Sequence, residues 1–316
     1  MVITHSISEY DKQNPSVVTI GTFDGVHVGH RKILERLIKN AENLNLKSTV
    51  LTFFPHPRMV LQKDSDIKML NTIGEKTKIL EQLGLDQLII HPFTREFSRL
   101  SATDFVRDVL VNSLGIKKII IGYDHRFGRN RNANIQDLIA FGSSYDFEVE
   151  EIPAQEVDDV SVSSTKIRKA LLEGDITTAN TYLGYSYMFS GVVQKGKGLG
   201  KQLTFPTANI HIGESYKLIP KNGVYVVRSY IKGRLVHGMM NIGHNPTVSY
   251  TDDSSTDRKE RIEVHFFDFE GDLYGQTLEI QLMERIRNER KFESLEALKL
   301  QLQKDKETAL PLISKP

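Results

Sequence analysis

The chain has 316 residues, 39% hydrophobic and 26% charged, the balance of an ordinary globular protein long enough for about two domains. Lys and Arg total 41 against 40 for Asp and Glu, a formal charge of +1, so the basic excess that marks a nucleic-acid partner is missing. With no cysteine, disulfide scaffolds, thiolate zinc sites, iron–sulfur ligation and cysteine nucleophiles are excluded together.

Residues 1–10 lack the basic stretch and apolar core of a secretory signal, and no apolar run approaches the ~18–20 residues that cross a bilayer. A cytoplasmic protein without a membrane partner is expected. Residues 17–20 read as a strand, followed by a glycine-bearing turn, by Ile33, Leu34, Leu37, Ile38 and Ala41 at helical spacing, and by a second strand over 49–54. That is one βαβ unit. Residues 75–83 read as a helix closed by Gly84, and 87–90 as a buried strand. Ser101 with Asp104 has the spacing of a capping box opening a helix to Leu114, Gly115 ends it, and 118–121 form an apolar strand. Strands alternating with helices predict a doubly wound parallel sheet with ligands at the carboxyl ends of its strands.

Past about Gly184 the rhythm changes. Residues 189–193, 223–231, 235–242, 261–269 and 277–283 are strand-like, with turns at Lys232-Gly233 and Glu270-Gly271-Asp272. Short strands at close spacing predict an antiparallel barrel or sandwich, and Leu295, Leu298 and Leu302 give the tail an amphipathic helix that packs on it. The boundary is set at 184/185, giving an α/β domain over 1–184 and an all-β domain over 185–316. The polar run over 251–261 reads as a loop.

The turn Gly21-Thr22-Phe23-Asp24-Gly25-Val26-His27-Val28-Gly29-His30 lies between the first strand and the first helix. Its glycines allow close backbone approach, and the free amides of the helix start attract phosphate. His27 and His30, three apart, are placed to face such a phosphate; the bland alternative is a turn residue and a helix-surface residue. The pair lacks the glutamate and thiolates that would make a zinc site, and the turn lacks the spacing of a dinucleotide fingerprint. Ser163-Ser164-Thr165-Lys166-Ile167-Arg168 opens a further helix; capping explains one serine, and the hydroxyls with Lys166 and Arg168 also make a second anion site.

In the second half Gly196-Lys197-Gly198-Leu199-Gly200-Lys201 fails the phosphate-loop spacing, because Gln202 follows Lys201. It is either a glycine-rich flap over a nucleotide or a plain hairpin loop. Thr207 and Asn209, two apart in an extended segment, point to one side and offer neutral oxygens that suit a magnesium ion beside phosphate. Glu263 alternates with Ile262 and Val264. It is either solvated or, if its face lines a cleft as the alternating Phe267 suggests, a general base.

Taken in order, these strings resemble the bifunctional riboflavin kinase/FMN adenylyltransferase family over nearly the whole chain. The first half is similar at Gly21 to His30, at Phe54-Pro55-His56-Pro57, at Gly122-Tyr123-Asp124 with Arg126-Phe127-Gly128, and at Ser163 to Arg168; the second at Gly198 to Asn209, at Asn241-Ile242-Gly243 with Pro246-Thr247, and at Glu263-Val264-His265 with Asp268-Phe269. The resemblance implies that the carboxyl-terminal barrel phosphorylates riboflavin to FMN with ATP, Glu263 acting as base, Gly196, Gly198 and Gly200 covering the nucleotide, and Thr207 and Asn209 holding Mg2+. It also implies that the amino-terminal domain adenylylates FMN to FAD with release of pyrophosphate. There Gly21, Phe23, Asp24, His27, His30, Ser164, Thr165 and Arg168 would hold ATP, with His27 and His30 catalytic, and Asp124, Arg126 and Phe127 would hold the flavin.

Three positions depart from the family pattern: His125 stands where Phe is common, Ala133 where Gly is frequent, and Thr204 where Gly usually precedes Phe-Pro-Thr-Ala-Asn. The first two bear on FMN affinity and the third on the stiffness of the flap. Two alternatives stand beside this reading, a flavin- or nucleotide-binding regulator without turnover, and an adenylyltransferase for another phosphorylated substrate. A homo-oligomer is compatible with every reading.

Overall fold

The computed structural model describes residues 1–62, 66–153, 162–196, 203–244 and 260–313. Its contacts divide into two compact units, one of residues 1–69 and 73–164, the other of residues 70–72 and 165–316.

In the first unit the strands β1 (Val2–Thr4), β2 (Ser16–Ile20), β3 (Lys47–Phe54), β4 (Gln87–Pro92), β5 (Lys118–Gly122) and β6 (Glu148–Ile152) form one sheet in the order β1-β4-β3-β2-β5-β6. Every pairing in it is parallel. The helices are α1 (Val28–Leu44), α2 (Pro57–Leu61), α3 (Ile73–Gln82), α4 (Ala102–Asp104) and α5 (Ile135–Tyr145). From β2 the chain moves outward through β3 and β4, then returns to place β5 on the other side of β2. The crevice at that reversal, outside the carboxyl ends of β2 and β5, is where doubly wound sheets bind ligands.

The apolar runs expected as strands are buried because parallel strands are covered on both faces: Val17, Val18, Val50, Leu51, Ile89, Ile119 and Ile120 are inaccessible. One face packs Phe105, Val106, Val109 and Leu110, and α1 buries Leu34, Leu37 and Ala41. Gly84 ends α3 at φ 87°, as its position predicts. The helix expected from Ser101 to Leu114 does start with the Ser101 side chain accepting from Asp104 N, but it continues as a π-helix, Phe105–Ser113. Strands β1 and β6 had no signal in the apolar pattern; β6, Glu-Val-Glu-Glu-Ile, carries charge that Lys118 and Arg36 neutralise at 2.7 and 2.5 Å from Glu150.

The second unit contains α6 (Ser164–Glu173, whose first residue is grouped with the first unit) and α7 (Ile176–Leu183), then the strands β7 (Met188–Gln194), β8 (Ala208–His211), β9 (Gly223–Ile231), β10 (Arg234–His244), β11 (Glu260–Phe266) and β12 (Thr277–Arg287), and α8 (Leu295–Ile313). The strands close into a barrel in the order β10-β11-β8-β7-β12-β9. Along β11, Ile262, Val264 and Phe266 are buried while Arg261, Glu263 and His265 are partly open, the alternation of a barrel wall. Lys232 and Gly233 both take positive φ and make the predicted hairpin turn.

Helix α8 covers part of the outer wall, where Ala309 and Leu302 meet Phe205, Val226, Met239 and Phe267. Two sequence expectations change here. Leu295 is 47% exposed and lies off the packing stripe, whose fully buried positions are Ala309 and Asp305. The Asp305 carboxylate receives Arg287 through Nε and Nη2 at 2.8 and 2.6 Å. Phe267, read as lining a cleft, belongs instead to this core.

The contacts divide the chain at 164/165, where the composition shift suggested 184/185. The cause is that α6 and α7 pack on the barrel: Asn180 Nδ2 donates to Leu282 O at 2.9 Å, Asn180 Oδ1 accepts from Tyr187 N at 2.6 Å, and Lys221 N donates to Leu171 O at 3.0 Å. The detached segment 70–72 is held in the same unit. The buried Lys217 donates to Leu70 O at 2.6 Å and to Met188 O at 2.7 Å, and Asn71 bonds Tyr185 at 3.2 Å.

Candidate functional sites in the two units

The turn after β2 is built by close approaches. A Cβ on Gly21 would lie 2.9 Å from the Phe23 ring, so any larger residue there would have to displace that ring. Phe23, Gly25 and Val26 have φ of 44°, 86° and 37°, a sparsely populated region for residues with side chains. Bonds from elsewhere in the unit hold this turn. Gly21 N donates to Leu51 O at 3.1 Å. Thr22 O accepts Lys76 Nζ at 2.6 Å and Thr52 Oγ1 at 3.4 Å, and the buried Asp24 presents its carbonyl to Ser164 Oγ at 2.9 Å.

His27 is the N-cap of α1, its Nδ1 accepting from His30 N at 3.3 Å. Accepting there leaves Nε2 as the protonated donor of the neutral ring. The two imidazoles stack with centroids 3.6 Å apart, and Phe23 meets His30 edge-on at 5.1 Å. Burial pushes His27 down to about 4; His30 lies well below the usual histidine range, through burial first and then the charges of His27 and Lys76. Both rings are therefore neutral at pH 7. His30 Nδ1 is buried without a hydrogen-bond partner among the described residues, the kind of unsatisfied polar atom that calls for an explanation.

At the end of β5, Asp124 and Arg126 are exposed, while Phe127 is buried at 7% beside Phe105. His125 is pushed down to about 4 by burial, and Ala133 is buried where it bridges to Phe127. Sequence reasoning missed an aromatic series at the carboxyl ends of β3 and β4: Phe53, Phe93 and Phe97 lie 5.4 to 5.9 Å apart and continue through Phe105 to Phe127. The available signal was aromatic residues directly after two parallel strands, where ligands bind. Ser164 opens α6, and Thr165 and Arg168 follow on that helix within the second unit.

In the barrel, register brings the other candidates together. Glu263 stands opposite Asn209 on one side and Asn241 on the other, and Asn209 stands opposite Gln194. The result is a polar row across β7, β8, β11 and β10. Thr207 and Asn209 are half-buried between buried Ala208 and Ile210 and so share that face. His265 Nδ1 lies 2.9 Å from Pro206 O and ties the segment to β11. A Cβ on Gly196 would fall 2.2 Å from Asn209 Nδ2; backbone therefore lies directly against the amide. Gly198 and Gly200 lie outside the described residues, as do Pro246, Thr247 and the 251–259 part of the expected loop. Thr204 holds φ 65°, the conformation that glycine adopts most easily.

No cluster of three or more His, Cys, Asp or Glu able to hold a metal occurs among the described residues. Thr207 and Asn209 offer a hydroxyl and a carboxamide oxygen, the type of neutral oxygen donor that suits a hard cation, and Asn209 stands opposite Glu263 in the register.

A family model described as FAD synthetase matches residues 9–166, and one described as Riboflavin kinase matches residues 183–313. The bifunctional riboflavin kinase/FMN adenylyltransferase of Buchnera aphidicola subsp. Acyrthosiphon pisum is 36% identical, covering 95% of this chain and 94% of that protein. The Bacillus subtilis protein of that name is 35% identical, covering 98% and 96%, and the Escherichia coli K12 protein 35% identical, covering 96% and 95%. A crystal structure named as a macrolide-efflux protein from Streptococcus pneumoniae aligns with TM-score 0.86 and 29% identity over 98% of each chain. That name is not matched by a transmembrane helix, since no helix among the described residues is long and apolar enough to cross a membrane. With both halves matched in order and full-length relatives above one third identity, the chain belongs to the bifunctional riboflavin kinase/FMN adenylyltransferase family.

Proposed function

We propose that this chain performs both reactions of its family, phosphorylating riboflavin to FMN and adenylylating FMN to FAD. The observation that carries the reading is the retention, in two separate units, of two different chemistries: a buried neutral imidazole pair at a helix start and a carboxylate flanked in register by two carboxamides. Binding alone requires neither.

Enzymes of this kind use ATP and a divalent metal, and the small-molecule substrates here are riboflavin, FMN and ATP. In the barrel, Glu263 accepts the proton of the riboflavin 5′-hydroxyl as its oxygen bonds to the γ-phosphorus and ADP leaves. Thr207 and Asn209 would hold the metal, for which we propose Mg2+; when bound it neutralises phosphate charge. By the family resemblance Gly196, Gly198 and Gly200 would cover the nucleotide.

In the first unit a phosphate oxygen of FMN bonds to the α-phosphorus of ATP, and the bond to the β-phosphoryl oxygen breaks to release pyrophosphate. His27 donates through Nε2 to the charge developing on the phosphates, and His30 offers its unpartnered Nδ1 to the same group. Gly21, Phe23 and Asp24 would shape the ATP turn, and Ser164, Thr165 and Arg168 would hold the triphosphate of ATP, from which pyrophosphate leaves. Asp124 and Arg126 bind the flavin, and the aromatic series that ends at Phe127 packs its ring. Since both reactions consume ATP, the cytoplasm is the proposed compartment, and the balanced charge favours no nucleic-acid partner. The test is incubation with riboflavin and Mg-ATP followed by separation of riboflavin, FMN and FAD. FMN without FAD would remove the adenylyltransferase role; no FMN would remove the kinase role.

A further inference from the structure

Lys76 has no place in the mechanism above, yet it is one of the few buried cations among the described residues, at 2% exposure. It lies on α3 in the run Glu75-Lys76-Thr77-Lys78, in which Glu75 is buried as well. Leaving a lysine ammonium in a protein interior is costly unless something requires it there. What it touches is the ATP turn: Nζ donates to Thr22 O at 2.6 Å, immediately before the strained Phe23. Burial pushes its pKa down to about 8 while the buried Asp24 favours the cation, and for His30 the cation adds a smaller effect to that of burial in disfavouring a proton.

We propose that Lys76 is a positioning residue of the adenylyl-transfer site, its ammonium fixing the Thr22 carbonyl so that the 21–26 turn and the His30 ring are held for the phosphates. The inference rests on the adenylyltransferase reading of the first unit. Thr22 O already receives Thr52 Oγ1 at 3.4 Å, a long, weak bond that fixes that carbonyl poorly by itself. The ammonium supplies the strong, charge-assisted contact. A buried cation near an imidazole also disfavours a proton on that ring, adding for His30 to the burial that already keeps it neutral.

The test compares K76Q and K76R with the parent, reading FAD formation from FMN and the 15N imidazole signals of His27 and His30. K76Q is expected to lower kcat by about 10²-fold, the cost of roughly 1 Å of misplacement, with KM for FMN within about threefold, and to move the His30 signals. K76R, which keeps the cation, is expected to stay within about tenfold of the parent. The imidazole signals need no turnover, so they test Lys76 even if the parent forms no FAD, the result that would sink the adenylyltransferase reading itself. A K76Q protein with parental kcat and unmoved His30 signals overturns the proposal, as does a K76R protein impaired as far as K76Q. If K76Q leaves β2 and β3 without amide protection, K76R alone decides. Activity within about tenfold of the parent supports the proposal; inactivity or unfolding of K76R shows Lys76 to be a packing residue and overturns it.

Discussion

Replacing His27 by Asn separates its cap from its proton. As N-cap, His27 accepts the His30 amide at 3.3 Å, a bond an asparagine carbonyl also makes, as Asn134 does at the start of α5. The variant therefore keeps the helix start near pH 7. It loses the titration. Burial, with 6% exposure, moves the imidazole from 6.5 to about 4. Between those values the unfolded chain binds a proton that the folded chain refuses, so stability rises with pH there: it is full above 6.5 and is lost as pH falls towards 4. At about 1.4 kcal/mol per tenfold, the displacement is worth about 3 kcal/mol. The expectation is that His27→Asn gains about 3 kcal/mol on the parent between pH 7 and pH 4. Urea titrations in which amide protection of peptides from β2, β3 and β5 reports the first unit alone supply the measurement. A difference between parent and variant that stays constant across that range would refute the buried neutral imidazole and, with it, the assignment of Nε2 as donor.

His30→Ala should lose FAD formation by an amount equivalent to ~3–4 kcal/mol of barrier while riboflavin phosphorylation continues, measured as FMN and FAD yields from one incubation. Glu263→Gln should do the reverse, slowing FMN formation by ~10²–10⁴-fold with supplied FMN still adenylylated; activity within a few-fold of the parent would return Glu263 to the solvent face. A fragment beginning at Tyr185 should make FMN and no FAD, yet melt below the second unit of the full chain. Lys217 would lose the Leu70 carbonyl, worth about 1–3 kcal/mol for a buried donor left unmade; a soluble fragment that binds riboflavin but forms no FMN would show that the kinase needs residues outside it. Thr204→Gly should leave the second unit as stable or up to about 1 kcal/mol more stable, because relief of strain at φ 65° outweighs the added chain entropy; a clear loss in thermal melting would contradict that.

Much of this molecule is legible in its residues. Strands β2, β3, β4 and β5 announce themselves as apolar runs because parallel strands are buried on both faces, and β11 announces its alternation because one face meets the barrel interior. Glycine marks the ends of α3 and α7, where φ is 87° and 74°. What stays hidden depends on tertiary placement. Lys76 and Lys217 look like solvated charges, and only the arrival of the Thr22 and Leu70 carbonyls beside them makes them buried. The π-helical turn over residues 105–113 repeats neither period used to find helices and strands. The row Gln194, Asn209, Glu263 and Asn241 is set by strand register, which sequence spacing within any one strand does not contain.

The detached segment 70–72 bears on how the chain is made. Lys217 is 147 positions beyond the carbonyl it holds at residue 70, and at ribosomal rates of about 5–20 residues per second that partner is synthesised on the order of 10 s later. Asn71 meets Tyr185 after 114 further residues, and Leu70 meets Lys217 only once the first two barrel strands, β7 and β8, have been translated. A gene split between residues 184 and 185 would preserve every residue of both reactions and still separate Asn71 from Tyr185. Each product would then carry half of a seam that the undivided chain closes by itself.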